Sequence, residues 1–119
     1  MRTITVWNAT RDNVIAAKVG LAHTTFSRMR GLLGRSGLES GEGIWIWPCN
    51  GVHTVGMAFS IDVVGLDRDH RVAKLWRRLA PLRITSVSFT VRSVLELSAG
   101  KIQEAGIQIG DVIRMEGHE

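Results

Sequence analysis

The amino-acid sequence predicts the α+β class, with a mainly antiparallel, compact barrel-like sheet and two short helices. Stretches with apolar alternation or β-branched residues outnumber the stretches with helical spacing. Most connections between them are short, as is usual between antiparallel strands. A chain of 119 residues can bury one real hydrophobic core, so we expect a single domain over residues 1–119.

The composition argues against several classes of protein. No apolar run approaches the roughly 18 residues of a membrane span, so we expect none. Residues 1–7 are too short and too polar for a signal peptide. The single cysteine cannot form an intramolecular disulfide and agrees with a reducing compartment. We therefore predict a cytoplasmic protein.

The N-terminal part predicts a β-hairpin followed by a helix. Residues 3–7 and 14–19 have the pattern of strands, and the polar residues 8–13 between them are turn-like. Apolar residues then recur at helical spacing over residues 26–33, after residue types that cap helices. Gly34 can adopt the left-handed conformation that ends such a helix.

The middle of the chain predicts a buried strand. Residues 44–47 form a short strand that ends at Pro48, and residues 59–66 form a strand that is apolar on both faces. Because both faces are apolar, we expect a central position in the sheet. Residues 67–70 then form a hairpin turn, and residues 71–79 return as the partner strand.

The C-terminal part predicts two strands around a short helix. The first strand covers residues 91–97, with Glu96 on one face and a mainly apolar set on the other, namely Val91, Ser93, Leu95 and Leu97. The helix that follows ends at Gly106, and the last strand covers residues 112–115. Residues 84–89 are either a loop or a weak strand.

The loop before the buried strand predicts a binding pocket. It brings a thiol, an imidazole, a hydroxyl and a thioether close to a carboxylate, and function often lies on such a loop over a rigid scaffold. The same composition suits a structural loop whose side chains satisfy buried backbone groups. The candidate ligand-binding residues are Cys49, His53, Thr54, Met57 and Asp62.

Asp62 is the most informative of these residues. A carboxylate among apolar side chains is costly to bury without partners. The structural interpretation, which we favour, is that it accepts hydrogen bonds from loop N–H groups, the Thr54 hydroxyl or His53. The functional interpretation is a perturbed acid or a ligand-binding carboxylate in a pocket.

A thiol enzyme is an alternative for the same loop. Cys49, His53 and Asp62 supply the residue types of a nucleophile, a base and an orienting group. A lone cysteine, however, is more often a small buried hydrophobe. Zinc needs three or four ligands, which the Cys49–His53 pair does not supply, so we expect no metal and no cofactor.

A basic segment follows the buried strand and suggests anion binding. The formal charge of the chain is +4, and arginine contacts anionic oxygens bidentately. Trp76 lies beside two of the arginines, and this combination can bind nucleic acid by stacking and charge. We favour a solvated strand face and a packed tryptophan instead. The candidate anion-binding residues are Arg71, Lys74, Arg77, Arg78 and Arg83.

Five motifs stand in order along almost the whole chain, at residues 28–35, 49–57, 61–64, 94–100 and 110–111. Together they resemble the bacterial and archaeal family catalogued as domain of unknown function 192. The resemblance implies a compact, β-rich fold and no particular activity.

The resemblance also ranks the candidate residues. Other branches of the family place Trp-Met-Lys-Asn-Thr near His53 and Thr54, which implies that neither Cys49 nor His53 is required throughout the family. Asp62 is the better candidate at the family level. His70 stands where the hairpin of the family usually has glycine, so either His70 has a positive φ, which histidine tolerates, or the turn is of another type.

We expect a small non-enzymatic module that binds a small molecule or a protein, with its pocket between the Cys49–Met57 loop and Asp62. A loop rich in polar groups, without a complete catalytic set, favours this interpretation. The alternatives are a small hydrolase-like or thiol enzyme and a nucleic-acid binder that uses residues 71–83.

Overall fold

The structure, a computed structural model, describes residues 3–22, 37–50, 59–80 and 88–117. These residues form seven strands and one helix. The elements are β1 (Thr3–Asn8), β2 (Asn13–Ala22), β3 (Glu42–Ile46), β4 (Ile61–Leu66), β5 (Val72–Leu79), β6 (Ser93–Ser98), α1 (Lys101–Ala105) and β7 (Ile113–Gly117).

The strands form one mixed sheet in the order β5-β4-β6-β3-β2-β1-β7. The hairpins predicted from residues 3–19 and 59–79 are confirmed as the antiparallel pairs β1–β2 and β4–β5. The sheet is mainly antiparallel, as expected, and it includes the parallel pair β2–β3. The chain between Ala22 and Glu42 is longer than the roughly dozen residues that a parallel crossover requires.

The predicted barrel is wrong, because the sheet stays open with β5 and β7 at its edges. A barrel needs continuous pairing between its first and last strands. In the described ranges, the two ends of the sheet meet through a bridge between Arg71 and Val112 and through backbone bonds from Val72 to the Gly110–Asp111 turn. That turn occupies the position that a continuous β5–β7 ladder would need.

The sheet buries apolar side chains on both faces. The first face, called the helix face, carries Val64, Leu95 and Leu97, which share a core with Ile102 of α1. The opposite face carries a second core, formed by Ile44, Ile46, Ile61, Val63, Val91, Val94 and Ala22. We call it the Glu96 face, because Glu96 lies directly across from Val63 and Ile44 of the neighbouring strands.

β4 is the strand that both faces enclose. All six of its residues are buried, and it pairs with β5 on one side and β6 on the other. The predicted central strand is therefore confirmed. The turn that follows it is held by Asp67, whose carboxylate accepts the backbone N–H groups of Asp69 and Arg71. His70 has φ 60°, as its replacement of glycine predicts.

The helix predicted before Gly106 is confirmed as α1, and Gly106 adopts the left-handed conformation at its C-terminus. The other predicted helix, over residues 26–33, lies outside the described residues, as does most of the ambiguous segment 84–89. Of the two predicted helices, the structure thus confirms α1. In the ranges described, no helix has the length and apolar character that crossing a membrane requires.

Candidate functional site

Asp62 is buried on the helix face, where backbone groups satisfy its carboxylate. One oxygen accepts the N–H of Arg78 and the other accepts the N–H of Ile102, both at 2.8 Å. Ile102 is in the first turn of α1, and the N-cap residue, Gly100, has no side chain to accept that N–H. Asp62 therefore caps α1 from a distant strand.

Arg78 completes this arrangement from β5. Its φ of 48° turns its N–H toward Asp62, and its guanidinium lies so close to Gly100 that an added Cβ would be 3.1 Å from Nη2. The described bonds of Asp62 agree with the favoured structural interpretation, although the donors are not the predicted ones. His53 and Thr54 lie outside the described residues.

Cys49 lies on the other side of the sheet from the Asp62 carboxylate. It is half-buried, donates its N–H to the Arg92 carbonyl at 2.9 Å and packs against the core of the Glu96 face. The structure does not bring Cys49 and Asp62 together on one face. Met57, like His53 and Thr54, lies outside the described residues, so their role in ligand binding stays a prediction.

Glu96 is the buried carboxyl that our sequence analysis did not select. Only 7% of the residue is exposed, and its cross-strand neighbours are Val63 and Ile44. Burial in these apolar surroundings raises the pKa of Glu96 to about 7. A usable signal was present in the sequence, because a glutamate is rarely flanked by apolar residues within a strand unless it is paired or functional.

A pKa near 7 makes Glu96 chemically versatile. Its protonated form donates a hydrogen bond, whereas its ionised form accepts hydrogen bonds and attracts a cation. Among the residues that the structure describes, none donates a hydrogen bond to this carboxyl. Strongly shifted carboxyls in apolar surroundings are candidates for ligand or proton binding.

Asp111 is a buried carboxylate of the opposite kind. Its oxygens accept hydrogen bonds from the Asn8 amide at 2.8 Å, the Arg11 guanidinium at 2.8 and 3.2 Å, and the Gln108 N–H at 3.0 Å. Burial pushes the pKa of Asp111 upward, but these bonds outweigh it and hold the pKa below its ordinary value. Asp111 thus connects the turn after β1 to the turn before β7.

Two of the five predicted anion-binding residues lie together on one surface. Lys74 and Arg77 line a shallow groove of about 570 Å³ along β5, together with Ala73, Leu75, Gln108 and Ile109. Arg78 is packed on Gly100, and Arg71 belongs to the bridge with Val112. Arg83 lies outside the described residues. Two cations therefore share a surface on which an anionic group could bind.

The tryptophans contribute mainly to packing. Trp45 stacks on Trp47 with ring centroids 4.5 Å apart, and the ring of His70 meets Trp45 edge-on at 5.3 Å. Trp76 packs against the core of the Glu96 face. Within the described ranges, no three His, Cys, Asp or Glu side chains are grouped as a metal site would need.

Comparison with known sequences gives a family match. The model of DUF192, described as Uncharacterized ACR, COG1430, matches residues 6–115. A UPF0127 protein of Thermococcus sibiricus (strain DSM 12597 / MM 739) is 30% identical over 117 residues, which cover 94% of this chain and 75% of that protein.

Two solved structures share the fold. A protein of unknown function from Novosphingobium aromaticivorans DSM 12444 has a TM-score of 0.80 at 22% identity, over 94% of this chain and 83% of that one. A proposed transcription regulator from Sinorhizobium meliloti 1021 has a TM-score of 0.80 at 20% identity, over 96% and 92% of the two chains. Likeness at these identities shows the fold alone.

Proposed function

This chain belongs to the DUF192 family, and we propose that it is a non-enzymatic module that binds a small molecule on the Glu96 face. The observation that carries the proposal is the position of Glu96, a carboxyl at the centre of an apolar sheet face. Transferring an ionised carboxylate out of water without a partner costs several kcal/mol, so such a group is seldom kept for packing.

The surroundings of Glu96 support a pocket near the predicted one. The 49–62 segment begins at Cys49, which packs on the core of this face, and ends in β4, whose Ile61 and Val63 belong to that core. We therefore place the pocket against this side of β4. The Asp62 side of β4 is a poorer choice, because backbone donors already use both oxygens of that carboxylate.

The same geometry weakens the thiol-enzyme alternative. A cysteine nucleophile needs its base and orienting group within hydrogen-bond reach. The Asp62 carboxylate lies on the helix face, whereas Cys49 packs on the Glu96 face. Asp62 therefore does not supply the orienting group for Cys49 in this arrangement.

The chemistry of the site defines the class of ligand. Apolar neighbours favour an aliphatic or aromatic body, and one carboxyl favours a single basic nitrogen placed against it. Above pH 7 Glu96 is ionised and attracts a protonated amine, whereas below pH 7 it is neutral and loses that attraction. The expected ligand is thus a small apolar amine that binds better at pH 8 than at pH 6.

Thermal unfolding tests this proposal. The probes are alkylamines and arylalkylamines, each paired with the alcohol of the same carbon skeleton, and the proteins are the parent and Glu96→Gln. We expect at least one amine to raise the Tm of the parent at pH 8, more than its alcohol does, because a ligand that binds only the native state stabilises it. Glu96→Gln should lose this difference.

The matched control is Glu39→Gln, which makes the same chemical change at an exposed position. It should respond to the amines like the parent. An amine effect of equal size in Glu96→Gln, or the failure of every amine to exceed its alcohol, would contradict the proposal.

A further inference from the structure

Among the described strands, β5 has a neighbour on one side only. In the part of the chain that the structure describes, β4 is the strand that pairs with β5. On its outer side, Val72 donates its N–H to the Asp111 carbonyl and accepts the N–H of Gly110, both at 2.8 Å. Strand-like pairing on that side thus begins at Val72 and is not continued by another described strand.

The groove beside β5 lies where such a pairing would continue. Ala73, Lys74, Leu75 and Arg77 form its wall on the strand, and Gln108 and Ile109 form the other wall. Ile109 is 61% exposed and presents a large aliphatic side chain at the groove. The groove therefore offers a backbone edge, an apolar contact and two positive charges.

We infer that this groove binds an extended acidic segment of a partner protein, which adds to the sheet as a strand beside β5. The unpaired N–H and C=O groups of an edge strand are a template for strand addition. Lys74 and Arg77 select acidic side chains on the added strand, and Ile109 contacts an apolar one. This inference concerns a different surface from the Glu96 face and does not depend on the small-molecule proposal.

The charges in the groove favour an acidic strand over a second copy of this chain and over a nucleic acid. In a pair of copies joined through their β5 edges, the Lys74 and Arg77 side chains of both would meet, and like charges across an interface are unfavourable. Nucleic acid binding relies on many phosphate contacts, whereas this groove has two cations and an apolar residue. An acidic strand matches all three features.

Fluorescence anisotropy with a labelled peptide, acetyl-(Glu-Val)₃-amide, tests the inference. We expect saturable binding that weakens with salt, because part of the attraction is between charges. The (Lys-Val)₃ peptide should not bind. Alternate backbone N–H groups of an extended peptide point to opposite edges, so two N-methylated versions of the acidic peptide can be made. Only the version whose methyl groups face β5 should lose binding, since it lacks the N–H donors to the strand edge.

Charge reversal locates the site. The double variant Lys74→Glu with Arg77→Glu should weaken binding of the acidic peptide by at least about tenfold and should favour the lysine peptide instead. The control is Lys18→Glu with Arg114→Glu, which makes the same change in net charge at exposed positions of β2 and β7. It should bind within about twofold of the parent, because neither residue lines the groove.

Three results would overturn the inference. The first is no binding of the acidic peptide by the folded parent, and the second is equal loss of binding in the control pair. The third is an oligothymidine that binds more tightly than the peptide and is lost in the same variant, which would identify nucleic acid as the occupant. If circular dichroism shows that the Lys74→Glu with Arg77→Glu variant does not fold, the variant Lys74→Ala with Arg77→Ala replaces it. This variant must still lose binding of the acidic peptide.

Discussion

Glu96 and Asp111 are both carboxyls on the inside of the protein, yet their surroundings shift their pKa values in opposite directions. They are 7% and 3% exposed, so neither is open to solvent, although Glu96 lies deeper in the protein. Asp111 accepts hydrogen bonds from Asn8, Arg11 and Gln108, whereas Glu96 faces the apolar residues Val63 and Ile44. The number of donors that reach a buried carboxyl therefore separates a structural acid from a candidate for function.

The largest expected effect is the loss of the Asp111 carboxylate. Asp111→Ala would leave the buried Asn8 amide and the Arg11 guanidinium without their acceptor, and we expect it to lower the free energy of unfolding by about 4 kcal/mol. Urea unfolding measures this loss. Asp69→Ala, at an exposed position whose φ is not positive, is the control. A cost below about 1 kcal/mol would show that the network contributes little.

Removing Asp62 should have the next largest effect. Asp62→Ala orphans the N–H groups of Arg78 and Ile102, so we expect a loss of about 3 kcal/mol in urea unfolding. Asp62→Asn keeps the shape and one acceptor oxygen, and it should cost less. Amide hydrogen exchange at Ile102 should accelerate in both variants. An alanine variant as stable as the parent would remove Asp62 from the list of structural acids.

The contribution of Glu96 to stability should decrease as the pH rises. Its folded pKa of about 7 lies above the ordinary 4.5, so the native state holds the proton more tightly than the unfolded state. The contribution of protonated Glu96 to the free energy of unfolding is complete below pH 4.5 and is lost as the pH rises through 7. The shift allows about 3 kcal/mol at most, and we expect about 2 kcal/mol because water can relax around the ionised group.

Glu96→Gln isolates that contribution. The variant cannot ionise at this position, so its stability should fall less than that of the parent between pH 4.5 and pH 8. Urea unfolding at several pH values compares the two slopes. Identical slopes would mean that Glu96 titrates normally in the folded protein, and the contrast with Asp111 would disappear.

The smallest expected effect is the loss, at low pH, of the contribution that ionised Asp111 makes to stability. Because its folded pKa is lowered, its contribution is present above the pKa of the unfolded chain and is lost as the pH falls through the folded pKa. Asp111→Asn should therefore be less stable than the parent at pH 6, and the gap should narrow toward pH 2. Thermal unfolding across this range detects the narrowing, and a constant gap would argue against an ionic role.

Local pattern predicted most strands but not their arrangement. The alternation and apolar faces of residues 3–7 and 59–66 depend on neighbours in sequence, and both strands are found. The direction of β3 relative to β2 depends on the path of the chain between them, which residue periodicity does not encode. The barrel failed for the same reason, since closure depends on how β5 and β7, the strands at opposite ends of the sheet, meet.

The acids show the same limit at the level of single residues. The burial of Asp62 follows from its apolar neighbours in sequence and was predicted. Its described donors, Arg78 and Ile102, are 16 and 40 positions away, so local sequence could not identify them. Glu96 sits in a similar sequence pattern, but its cross-strand neighbours, Val63 and Ile44, are far away in sequence and only the fold identifies them.

The pairing of β1 with β7 has a consequence for folding during synthesis. Ile4 lies opposite Gly117, so β1 must wait for β7, which is synthesised after the other described elements. A nascent chain can form the β1–β2 hairpin early, but the outer edge of β1 stays bare until β7 leaves the ribosome. Such distant contacts give a high contact order, and we expect folding in milliseconds to seconds rather than microseconds.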